Sequence, residues 1–67
     1  MNPEALFRTA CDREKPAEFI GRLTHSELRA LVVWLREGSG RGVRGFILGL
    51  AELEAAERFL KDHTPTA

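Results

Sequence analysis

The chain has 67 residues, ten basic and ten acidic side chains and a single cysteine, Cys11. A length of this kind allows one small domain that buries only about 60% of the surface its unfolded chain exposes. Zero formal charge excludes a global field pulling the protein toward nucleic acid or an anionic membrane, and one cysteine excludes an internal disulfide. Helix packing or association must then supply the stability that staples give other small domains.

No apolar run approaches the ~18 residues that a membrane span requires. The stretch Met1 to Phe7 lacks a basic segment followed by an apolar one. A cytoplasmic chain with a reduced thiol and no membrane partner is expected.

Asn2, Pro3 and Glu4 supply an N-cap, a first-turn proline and an acid suited to the helix dipole. The first helix is expected over 3–13, with Leu6, Phe7, Ala10 and Cys11 making one inward stripe. On that stripe Cys11 reads as a buried, inert thiol. Pro16 opens a second helix over 16–23, with Ala17, Phe19, Ile20 and Leu23 apolar and Gly21 weakening its interior.

Thr24 and Glu27 form the T-x-x-E capping box, the sharpest local signal in the chain. A third helix over 25–37 follows, burying Leu28, Leu31, Val32, Trp34 and Leu35, with Gly38 as its stop. A glycine-rich connector over 38–42 leads to a long fourth helix over 43–62 and a frayed tail over 63–67. No stretch alternates as a strand would. The expectation is one all-α domain, 1–67, in which three short helices wrap a long C-terminal one.

The fourth helix has two apolar faces. Val43, Phe46, Ile47, Leu50, Leu53 and Leu60 fall on one, and Leu48, Ala55 and Phe59 on a nearly opposite one. Gly45, Gly49 and Ala56 form a third strip without large side chains. Three short helices can hardly enclose both faces, and each large side chain left in water forgoes about 1.5–3 kcal/mol. With the broader face directed inward, Leu48, Ala55 and Phe59, flanked by Glu52, are expected to form a protein interface. The expected partner is a second copy in a two-fold dimer, or another protein.

Residues Gly40 to Gly45 match G-x-G-x-x-G, but a dinucleotide site needs a preceding strand, so no cofactor is expected. Arg41 and Arg44 remain candidates for holding an anion at the helix mouth, as do Arg29 and Arg36, seven residues apart on one face of the third helix. An alternative function follows from the second and third helices as a helix-turn-helix in a dimeric DNA binder. His25, Ser26 and Arg29 would then meet bases, and the other arginines phosphates. Leu23, Thr24, Glu27, Leu28, Leu31, Leu35 and Gly38 resemble the opening helix of the LuxR-type DNA-binding domain. The likeness covers under a quarter of the chain and ends at Gly38. It implies a DNA-binding function, which the zero net charge and the acidic Glu52, Glu54 and Glu57 oppose.

Neither metal-ligand spacing nor a convergent catalytic set is evident, because Cys11, His25 and His63 are scattered. The sequence therefore reads as a small, non-catalytic regulatory or adaptor protein acting through helix association.

Overall fold

A computed structural model describes residues 2–38 and 42–63, the last by its backbone alone. Four helices follow in order: α1 (Pro3–Asp12), α2 (Pro16–Gly21), α3 (His25–Glu37) and α4 (Val43–His63). There is no strand among the described residues. The fold is all-α, with one long C-terminal helix against which the shorter helices pack.

Local chemistry sets most of the boundaries. The Asn2 side chain accepts a hydrogen bond from the Ala5 amide at 2.8 Å, which satisfies one orphan donor at the start of α1. The last turn of α1 gives way to extended backbone at Arg13, one residue earlier than the sequence suggests. α2 stops at Gly21, two residues short of the expected end, yet Leu23 still turns inward and is buried.

The capping box of α3 is complete. The Glu27 amide donates to Thr24 Oγ1 at 3.1 Å, and the Thr24 amide donates to Glu27 Oε1 at 3.0 Å. That second bond holds the Glu27 carboxyl below the usual carboxylate range, with the Thr24 backbone as the leading cause.

Two glycines bracket the connector for different reasons. Gly42 has φ +62°, in the left-handed region that glycine enters without a Cβ clash, and its carbonyl accepts the Phe46 amide to begin α4. Gly38 ends α3, as expected, with φ −92°. A Cβ there would lie 2.7 Å from the Arg44 guanidinium carbon, so a close approach by Arg44 explains the glycine.

The core draws Leu6 and Ala10 from α1, Ile20 from α2, Leu28, Leu31 and Leu35 from α3, and Ile47 and Ala51 from α4, with Leu23 completing it. The i, i+3, i+7 spacing in α3 puts three leucines on one stripe. Trp34 and Phe7 pack at its edge with ring centroids 5.6 Å apart. Cys11 departs from its expected burial: it is exposed, immediately after buried Ala10 in the last turn of α1.

The faces of α4 are also corrected. Ile47, expected inside, is buried, as is Ala51, and Leu48 is half-buried against the core, so the helix is turned only partway from the expected orientation. Val43, Phe46, Leu53 and Leu60, expected inside, lie on the exposed side. The small Ala51 side chain lets α4 seat closely on the other helices, which a leucine at that register position would prevent. α4 also carries the long dimension of the molecule, which extends 40 Å against 23 and 21 Å across.

Candidate functional site

The inward side of α4 is fastened by two arginines. Arg44 lays its guanidinium over the Trp34 ring at 4.3 Å from the centroid and reaches the Phe7 ring at 5.6 Å. Its terminal nitrogen donates to the Trp34 carbonyl at 3.4 Å. An arginine in such a place covers apolar rings with its stem and plane while remaining charged.

Arg58 does the same one helix end further on. It donates to the Leu23 carbonyl at 2.7 Å and the Gly21 carbonyl at 3.2 Å, and its Nε donates to Glu54 Oε2 at 2.7 Å. Those carbonyls end α2 and the turn after it, where no further helical amide follows to satisfy them. A third guanidinium nitrogen lies 3.0 Å from His25 Nδ1. Arginine has no lone pair to offer, so this contact requires Nδ1 to be the acceptor.

These bonds decide the standing of the expected ligand contacts. His25, Arg29 and Arg36 come together with Ala55 and Arg58 around a shallow groove of about 410 Å³ between α3 and α4, floored by Leu28 and Val32. Ser26 lies on the neighbouring side of Arg29, in a groove shared with Pro3 and Trp34. Arg36 is paired with Glu52 across the helices, and Arg44 is engaged with Trp34. Arg41 lies outside the described residues. α2 packs chiefly on α1 and α4 rather than on α3.

The expected protein interface is likewise divided. Leu48 joins the edge of the core, Glu52 pairs with Arg36, and Ala55 lines the α3–α4 groove. Phe59 is exposed. Leu48, Glu52 and Ala55 thus lie toward α3 within one chain, on the side where Arg44 stacks on Trp34, its buried Nε left without a hydrogen-bond partner among the described residues.

What remains open is the opposite side. Val43, Phe46 and Leu53 are 58%, 60% and 57% exposed, and Leu50 between them is half-buried, its side chain packed against the core. Their spacing of three, four and three residues makes one straight seam about 15 Å long on an α-helix. Beside it Gly49 has open space where a Cβ would stand, and Ala56, seven residues on, is exposed. The seam is an apolar strip with a low shoulder, suited to receiving another helix at the 8–10 Å separation of packed helices.

Among the described residues no group of three or more His, Cys, Asp or Glu side chains is placed to hold a metal ion, and no helix is long and apolar enough to cross a membrane. In comparisons with known proteins the chain matches no family model, no curated protein and no solved structure.

Proposed function

We propose that the protein is a small non-catalytic regulator or adaptor that acts by pairing α4 with α4 of a second copy. The observation that carries this reading is the seam Val43, Phe46, Leu50 and Leu53, large apolar side chains at coiled-coil spacing on the outer side of the longest helix. Scattered exposed leucines are ordinary on protein surfaces; a continuous seam of this kind is characteristic of an interface.

The size of the seam fits a helix of equal length. The four side chains present roughly 350 Å² of apolar surface per chain, given the 150–250 Å² that an aromatic side chain buries. Two copies contribute about twice that area, below the usual size of a permanent interface and in the range of a weak, reversible one. A two-fold pair satisfies both copies at once, because the same strip is donor and acceptor of contacts. An interface of this size gives an equilibrium responsive to protein concentration, which suits a regulator.

Size-exclusion chromatography with light scattering tests the proposal, using the wild type and Phe46→Glu at tens of micromolar. The wild type is expected at twice the 7.5 kDa chain mass, and the variant at the chain mass with an unchanged helical spectrum. Because the contact is apolar, raising the salt from 0.1 to 1 M leaves the wild-type dimer intact. A monomeric wild type, or a variant that remains dimeric, refutes it.

A further inference from the structure

The geometry points to the groove between α3 and α4 as a binding site for a small organic monoanion, an apolar body carrying one carboxylate. This site is separate from the outer side of α4 and does not depend on self-association. Leu28, Val32, Val33 and Ala55 supply its apolar lining. Each polar side chain that lines it is an arginine or a histidine, and none is acidic among the described residues.

Most of that positive charge is answered within the chain. Arg36 bridges to Glu52, and Arg58 is engaged by Glu54, by the Gly21 and Leu23 carbonyls and by His25. The cross-helix contacts Arg36–Glu52 and His25–Arg58 bound the groove at its two ends, since positions 25 and 36 are about 16 Å apart along α3. Arg29 stands between them on the same side of α3, at the i, i+4 and i+11 positions of one helical row. It is exposed and has neither an ion pair nor a hydrogen bond from its side chain among the described residues. One unpaired positive charge therefore overlooks an apolar hollow of limited length.

Ala55 makes the hollow, because a small side chain between Glu52 and Arg58 leaves space on α4 that a leucine would fill. Its volume of about 410 Å³ falls within the roughly 300–1,000 Å³ of small-molecule sites, which combine apolar walls with a few polar groups. A carboxylate set against Arg29 accepts two parallel N–H bonds from the planar guanidinium, while the body of the molecule lies over Val32 and Ala55. The groove on the other side of Arg29 contains Glu37, which repels an anion, so the α4 side is selected. A single ligand charge matches the single unpaired arginine, and the bounded length suits a compact molecule rather than a running polyanion.

Nuclear magnetic resonance titration of the labelled chain with octanoate tests the site, with octan-1-ol as the same body without the charge. Octanoate is expected to give saturable shifts at Val32, Val33 and Ala55, with the low-millimolar dissociation constant that a ligand of about ten heavy atoms allows. Octan-1-ol is expected to bind about tenfold more weakly or worse, as is octanoate to Arg29→Gln, the loss that goes with one charged hydrogen bond. Ala55→Leu fills the hollow and leaves Arg29 in place, so it removes the octanoate shifts while the helical circular dichroism spectrum is kept. No saturable shift up to about 10 mM overturns the proposal. So do equal affinities for the acid and the alcohol, undiminished binding by either variant, or shifts confined to Val43, Phe46 and Leu53 on the outer side of α4.

Discussion

Replacing Arg58 with alanine removes the link between α4 and the end of α2, and its consequence can be worked from the geometry. Arg58 donates to the Leu23 and Gly21 carbonyls and to Glu54, and the Arg58 and Glu54 side chains are 17% and 22% exposed. A hydrogen bond from a charged donor contributes about 1.5–3 kcal/mol, and a buried acceptor left without a donor costs about 1–3 kcal/mol. Partial water access at the rim reduces both effects. The expected loss is therefore about 2–3 kcal/mol, a large fraction of the total for a domain of this size. For a domain this short it lowers Tm by roughly 10–20 °C. Urea unfolding followed by far-ultraviolet circular dichroism measures it, at one fixed protein concentration because association would shift the apparent stability. Arg58→Lys keeps the charge but loses the planar fork, so an intermediate loss is expected. An Arg58→Ala variant within about 0.5 kcal/mol of wild type, the range of an ordinary surface change, would show that these bonds do not fasten α4.

Other consequences follow from the caps and aromatic contacts. Because the folded-state pKa of Glu27 lies below its unfolded value, its stabilisation is present above the ordinary carboxylate range and is lost as pH falls through the folded value. Glu27→Gln therefore flattens the acid limb of Tm against pH, and an unchanged limb contradicts the capping-box account. Thr24→Ala costs about 1 kcal/mol in chemical denaturation, the usual worth of an N-cap side chain. Arg44→Ala takes a cation from the face of the single tryptophan, so Trp34 fluorescence shifts and stability falls by about 1 kcal/mol; an unaltered emission spectrum counts against the stacking. Cys11, being exposed, reacts with a thiol reagent in the native state as readily as in urea, and native-state protection would contradict its position.

Features governed by neighbours in sequence were legible before the fold was seen. Asn2 with Pro3, and Thr24 with Glu27, act within one helical turn, so their spacing alone fixes where α1 and α3 begin. The leucines of α3 recur at helical spacing, with Glu27, Arg29, Arg36 and Glu37 off their stripe, so that stripe goes inward. The two faces of α4 presented a different problem. Periodicity assigns an arginine to solvent, and doing so with Arg44 and Arg58 leaves the broad face of Val43, Phe46 and Leu53 as the apparent core. In the fold both arginines lie inward, because Trp34 and the Gly21 and Leu23 carbonyls await them on other helices. Nothing in α4 itself records those partners. Cys11 misled for a related reason: it lies next to buried Ala10 but about 100° round the helix, at the edge of the stripe that Leu6 and Ala10 direct inward.

The candidate site inherits this reversal. That α4 has more apolar surface than three short helices enclose was readable from composition and length, whereas which side stays open was set by tertiary hydrogen bonds. Leu48, Glu52 and Ala55 face α3, Leu50 packs on the edge of the core, and the open side carries Val43, Phe46 and Leu53.

Sedimentation equilibrium of the unmodified chain over a dilution series is the most direct test of whether that seam is covered by its own copy. The account predicts a weight-average mass that rises from 7.5 kDa toward double that value with increasing concentration and never beyond it. A mass that stays at one chain up to several hundred micromolar would contradict it.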